Sequence, residues 1–234
     1  MSSAKAERLR ELHAGPHLLV LPNAWDVASA RVFADCGFPA IATASWAIAA
    51  AHGYPDGENI PRGEMLAAVE QITRSVDVPV SADLEAGYGD PVGTARLAWD
   101  AGAVGMNFED KLRPMEEHAA DVSAIKDAVP ELVLNARTDV FVRGSNGAEE
   151  AIARANAYLE AGADCAYVIG VSDLDVIERL ARDIDGPINV LVDVESPPLA
   201  ELERLGVRRV TFGPNFFRAG LARVEELAQA LRPG

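Results

Sequence analysis

A chain of 234 residues, 49% of them hydrophobic, carries enough apolar material for a substantial core and lacks the composition of a disordered tract. Its 36 acidic against 21 basic residues leave a net charge of −15, which argues against nonspecific binding to nucleic acid or to an anionic membrane surface. The only two cysteines, Cys36 and Cys165, make no disulfide framework, and there is neither a leader-like N-terminus nor an apolar run of about 18 residues, so a soluble, cytoplasmic protein is expected.

Residues 1–14 set Leu9 and Leu12 among charges and read as a leading amphipathic helix. After Gly15-Pro16, residues 17–21 read as a first strand and 23–35 as a helix that Gly37 ends. The same alternation then repeats. Strand 40–44 leads through a long loop, His52-Gly53-Tyr54-Pro55-Asp56-Gly57, to helix 61–76; strand 78–83 to helix 90–100; strand 103–109 to helix 116–129. Strand 132–138 leads to helix 148–161, strand 163–170 to helix 173–185, strand 188–194 to helix 199–205, and strand 207–212 to helix 217–231. Eight β-then-α units with near-continuous apolar strands predict a parallel sheet closed into a (β/α)8 barrel, one domain over residues 1–234 with an extra N-terminal helix. An open doubly wound sheet is the competitor, and no Gly-x-Gly-x-x-Gly follows a strand to support it.

Barrel enzymes place their chemistry at the C-terminal strand ends. Here these ends carry Asp56, Asp83 and Glu85, then Asn107 and Glu109, then Asn135, Arg137 and Asp139. Residues two apart in a strand share a side, so Asp83 aligns with Glu85, and Asn107 with Glu109. Crowded carboxylates raise one another's pKa unless a cation neutralises them, and all-oxygen ligation without a His or Cys cluster suits Mg2+ or Mn2+. Helix N-caps and loop salt bridges are the plainer reading of each acid taken singly.

The ordered series Gly53-Tyr54-Pro55-Asp56-Gly57-Glu58, Ala82-Asp83-Leu84-Glu85-Ala86-Gly87-Tyr88-Gly89, Asn107-Phe108-Glu109-Asp110 and Asn135-Ala136-Arg137-Thr138-Asp139 resembles the isocitrate lyase and phosphoenolpyruvate mutase superfamily. Residues 205–214 resemble its eighth strand, and the match covers nearly all of residues 17–220. The resemblance implies Mg2+ held directly by Asp83, with Asp56, Glu85 and Glu109 engaging its waters. It also implies a substrate carboxylate or phosphonate bound by Arg137, with Asn135 on the same strand face, and an oxo-acid carboxylate held at Ser45 and Trp46. The implied function is a Mg2+-dependent lyase cleaving a carbon–carbon bond in a small anionic α-oxo or 2-hydroxy acid. Phosphonopyruvate mutase or hydrolase chemistry and a catalytically weak oxo-acid binding module are the alternatives. A homodimer or homotetramer is implied too, with the eighth helix, 217–231, exchanged between subunits or closing its own barrel.

Two features depart from the superfamily pattern. Ala44 stands where many relatives place a serine, and the loop after Glu109 runs almost directly into a helix without the lyases' cysteine-bearing gate. His118 is then the nearest general acid or base by sequence, against a plain reading as a solvated helix residue. Lys111 and Arg113 read either as attractors of an anionic substrate or as surface charges, and Tyr88 as a residue within reach of the ligand.

Overall fold

The computed structural model describes residues 2–143, 147–193 and 198–232. Within them the order is α1 (Ser2–Ala14), β1 (Leu19–Leu21), β2 (Asn23–Ala24), α2 (Val27–Asp35), β3 (Ile41–Thr43), α3 (Ser45–Ala51), α4 (Arg62–Ser75), β4 (Val80–Asp83), α5 (Pro91–Asp100), β5 (Gly105–Glu109), α6 (Met115–Ala128), β6 (Val133–Thr138), α7 (Val140–Arg143), α8 (Ala148–Glu160), β7 (Cys165–Val168), α9 (Leu174–Asp183), β8 (Ile188–Leu191), α10 (Leu199–Arg204), β9 (Arg209–Thr211) and α11 (Asn215–Leu231).

All pairings are parallel, in the order β1-β9-β8-β7-β6-β5-β4-β3-β2. β1 and β2 are two halves of one barrel strand, interrupted at Pro22, which has no N–H to give a ladder. The first half bonds to β9 and the second to β3, so the (β/α)8 barrel closes through residues 19–24. Short helix-to-strand turns are set by glycines in the left-handed region, among them Gly102 (φ 86°) after α5 and Gly206 (φ 96°) after α10.

Several boundaries differ from expectation. Asn23 belongs to a strand, and α2 starts only at Val27 because Asp26 caps it: its carboxylate accepts the Ser29 N–H at 2.7 Å, while Ser29 Oγ accepts the Asp26 N–H at 3.1 Å. The expected loop after the second barrel strand opens with the helix α3, and an unpredicted turn of helix, α7, follows β6. β8 ends at Leu191, and Val194, expected to finish that strand, lies outside the described residues.

The leading helix seals the barrel floor. Its Ala6 and Leu9 are buried among Leu19, Leu21, Ala40, Ala42 and Val133, and a Cβ on Gly105 would come within 2.9 Å of both Leu9 and Ser81. Above that apolar floor the axis turns polar, with Asn107, Asn135, Asn189, Arg209 and Thr211 all buried. The last helix behaves otherwise. Phe216 and Phe217 pack edge-on against Phe33 and Trp25, but from Arg218 onward every described residue is exposed, including Leu221, Val224, Leu227 and Leu231. No helix among the described residues is long and apolar enough to cross a membrane.

Candidate active site

Strand ends β3 to β6 bring Ser45, Trp46, Asp56, Asp83, Glu85, Asn107, Glu109 and Arg137 around a cavity of about 170 Å³. Asp83 and Glu109 are the last residues of β4 and β5, so their side chains leave the strands toward the mouth of the barrel. Glu85 follows in the left-handed region (φ 52°), which turns its carboxylate back over the same opening. Asp56 stands at the exposed rim, on the turn beyond α3.

The charges are unevenly matched. Arg137 Nη1 lies 2.8 Å from Glu109 Oε2, and its Nε donates to Asp139 Oδ1 at 2.7 Å. Burial alone would lower the pKa of Arg137, but Glu109 and Asp139 outweigh it and push it up. Even so, burial pushes Glu109 up to about 7, with Asp139 and Asp83 adding to the shift and Arg137 opposing it. Glu85 is pushed up to about 8, first by burial and then by the charges of Asp83, Asp56, Glu109 and Glu58. One of its oxygens, Oε1, is buried without any partner. Glu109 has Arg137 and Asp83 has the Ser45 donors, but among the described residues no cation pairs with Glu85 or Asp56, an environment in which a positive ligand stabilises the ionised state.

The residues fit a hard divalent cation. Among the described residues no three His, Cys, Asp or Glu side chains are gathered tightly enough to enclose a metal by themselves. A cation held here would take only one or two carboxylates directly and complete its shell with water, a mode open to Mg2+. The unpartnered Glu85 oxygen and the acidic lining supply acceptors for those waters.

Ser45 lines the cavity, as the resemblance implies, and also meets Asp83. Its N–H and Oγ both donate to Asp83 Oδ2, at 3.2 and 2.8 Å, so it orients the carboxylate and leaves Oδ1 free of it. Ala44, the missing serine, is the uncapped residue before α3. Trp46 lines the cavity and is covered by the Arg218 guanidinium, 4.6 Å from its ring centre.

Two expected site residues are elsewhere. His118 is fully buried on α6, stacked on Phe108 at 4.3 Å and edge-on to Tyr158 at 4.5 Å. Phe108 alternates with the cavity-facing Asn107 and Glu109, so His118 lies outside the sheet, neither a group lining the cavity nor the solvated residue of the alternative reading. Burial pushes its pKa down to about 4, consistent with a neutral core imidazole. Asn135 is also fully buried, inside the barrel beneath the cavity, and donates to Asn107 Oδ1 at 2.7 Å.

The shortened gate is closed by local contacts. Lys111 (φ 46°) and Leu112 (φ 58°) turn tightly, and Lys111 Nζ lies 2.8 Å from Glu58 and 3.8 Å from Glu109. Arg113 is spent on Asp121, at 2.9 Å, and on His118. Tyr88 donates its backbone N–H to Glu58, and its buried hydroxyl has no partner. The sequence reading missed Arg143, which lines the cavity and donates to Asp139 Oδ2 at 2.8 Å. Its spacing of four from Asp139 on a helical turn was the available signal.

Known proteins match this chain over most of its length. The family model described as phosphoenolpyruvate phosphomutase matches residues 9–232. A 2,3-dimethylmalate lyase of Eubacterium barkeri is 31% identical, covering 86% of this chain and 77% of its own. An oxaloacetate decarboxylase of Pseudomonas entomophila is 32% identical, covering 87% and 76%. The crystal structure of a provisionally named phosphonomutase from Burkholderia cenocepacia superimposes with a TM-score of 0.94 at 36% identity, covering 98% of this chain and 99% of that one.

Proposed function

Because the chain belongs to the phosphoenolpyruvate phosphomutase family, within the isocitrate lyase superfamily of lyases and mutases acting on small oxo acids, we propose that it is a Mg2+-dependent lyase. The bond broken is a carbon–carbon bond in a small α-oxo or 2-hydroxy carboxylic acid. One observation carries this reading: four carboxylates, Asp56, Asp83, Glu85 and Glu109, and the guanidinium of Arg137 line a single small cavity at the strand ends.

In this reading Asp83 binds the cation directly, held in orientation by the two Ser45 donors, while Glu85, Glu109 and Asp56 hold its waters. When bound, Mg2+ supplies Lewis-acid stabilisation of the negative charge that develops on a substrate oxygen, worth on the order of several kcal/mol. Arg137, fixed between Glu109 and Asp139, presents a preorganised guanidinium to the anionic end of the substrate. Trp46 covers one side, and the tight turn at Lys111 takes the place of a long gate, restricting water around the reacting atoms.

A second reading, phosphorus–carbon chemistry on phosphonopyruvate, is favoured by the second cavity cation, Arg143. Asp139 holds Arg137 on one oxygen and Arg143 on the other, a pair suited to a dianionic phosphonate. Assays of the purified protein on oxaloacetate, 2,3-dimethylmalate, methylisocitrate and phosphonopyruvate separate the two. Turnover of a carboxylic acid with Mg2+ supports the first, and turnover of phosphonopyruvate alone replaces it with the second. The exposed apolar stripe Leu221, Val224 and Leu227 further supports assembly with another copy of the chain, read as a molecular mass in solution of at least twice 24.8 kDa.

A further inference from the structure

Arg209 is among the largest fully buried side chains of the described residues, and it lies inside the barrel below the acidic cavity, bonded to Ser81 and Asn107. Among the described residues no carboxylate pairs with it. Its Nη2 donates to Ser81 Oγ and to Asn107 Oδ1, each at 3.3 Å, while Nε and Nη1 have no partner at all. Burying a guanidinium without a counter-charge opposes folding, so its contacts merit a functional account.

Those contacts determine an amide orientation that is otherwise ambiguous. A guanidinium can only donate, so the end of the Asn107 side chain that meets Arg209 has to be its oxygen. The same oxygen faces Asn135 at 2.7 Å, so Asn135 must turn its NH2 there, which leaves the Asn135 oxygen as the buried, unpartnered atom. Arg209 thus fixes the amide of Asn107, and Asn107 fixes that of Asn135. Asn107 is left with its NH2 at the other end, bonded to no acceptor among the described residues, on a side chain that lines the cavity next to Asp83 in register. In a lining rich in acceptors it is a neutral donor of fixed direction.

We propose that Asn107 donates its side-chain N–H to an oxygen of the bound oxo acid and that Arg209 is the positioning residue that holds it in this orientation. The inference rests on the reading of the cavity as an oxo-acid site. It distinguishes Asn107, which touches the substrate, from Arg209, which acts only through it.

Calorimetric titration with oxalate in the presence of Mg2+ tests both parts. Asn107→Asp keeps an acceptor for Arg209 and Asn135 but turns an oxygen toward the ligand, so oxalate affinity is expected to fall by more than roughly tenfold. Arg209→Met frees the amide to turn and weakens binding by about threefold to tenfold, whereas Arg209→Lys, which retains a cationic donor, restores most of it. A spectroscopic measurement on the unaltered protein stands beside these variants. The 15N side-chain amide signals of Asn107, assigned by their loss in Asn107→Asp, shift on adding oxalate in wild type and in Arg209→Lys but not in Arg209→Met. If wild type binds oxalate while Asn107→Asp and Arg209→Met bind equally well, or the Asn107 amide signals stay still, the inference is wrong and the functional reading survives. Failure of wild type to bind oxalate overturns both.

Discussion

Glu109 and Asp110 are adjacent in the chain and face opposite sides of the barrel wall. Asp110, fully buried on the outer side, accepts from the Tyr158 hydroxyl at 2.8 Å, the N–H groups of Leu112 and Asp139 at 3.0 and 3.1 Å, and Arg154 at 3.3 Å. Glu109, on the inner side, shares Arg137 with Asp139 and is still pushed up to about 7, and nearby Glu85 keeps an oxygen with no partner. The outer carboxylate is spent on joining β5 to α8. The inner ones are arranged at a cost that the protein's own donors do not cancel, which is the property of a site that recruits something positive.

Removing either kind of acid should therefore have opposite consequences. Asp110→Ala leaves the buried Tyr158 hydroxyl without its carboxylate acceptor and takes from Arg154 one of two acidic partners, Glu150 remaining at 3.0 Å, and a loss of about 1–3 kcal/mol in urea unfolding is expected, with turnover per folded molecule retained. Equal destabilisation by Glu85→Gln would erase the contrast. That variant is instead expected to leave metal-free stability unchanged or raised by about 1 kcal/mol, while the rise in Tm on adding Mg2+ disappears.

Acidity sharpens the comparison, because the two sides respond with opposite sign. His118 is neutral in the fold with its pKa at about 4, against an ordinary value of 6.5. The unfolded chain therefore gains its proton first, and stability falls as pH drops from 6.5 toward 4, by up to about 3 kcal/mol from this residue. Glu85 is raised from 4.5 to about 8, so the metal-free fold holds its proton longer and loses stability as pH rises through that window. His118→Phe should make the acid limb of a stability–pH profile shallower, with His13, whose burial also pushes it down to about 4, keeping the rest, and leave turnover intact. Glu85→Gln should reduce the decline between about pH 4.5 and 8, to which Glu109, raised to about 7, also contributes. At the rim, where Lys111 and Glu58 are both partly solvated, Lys111→Ala is expected to cost under about 1 kcal/mol by thermal unfolding.

How legible these regions were in the sequence follows the same division. The barrel could be read because apolar strands alternate with helices eight times, several of the helices ending on glycine, and the inner carboxylates because alternation places residues two apart on one face. Asn23 opens the helix expected over residues 23–35. In the structure it serves inside the wall, donating to Thr43 O at 2.8 Å and accepting from the N–H groups of Phe212 and Gly213. His118 misled because proximity in sequence to Glu109 carries no information on which side of the sheet a helix residue packs. Arg209 gave no signal either, since nothing local distinguishes it from Arg208, whose side chain reaches the surface to donate to Pro16 O. Its role depends on contacts with Ser81 and Asn107, more than 100 residues earlier in the chain.

The most direct test of the central claim compares turnover of oxaloacetate, 2,3-dimethylmalate, methylisocitrate and phosphonopyruvate by wild type with Mg2+, by wild type after chelation, and by a folded Asp83→Ala variant. The acidic cavity as a metal-assisted lyase site predicts turnover of at least one carboxylic acid in the first case and a loss of roughly a hundredfold or more in the other two. Turnover that persists undiminished without metal, or without the Asp83 carboxylate, would contradict it.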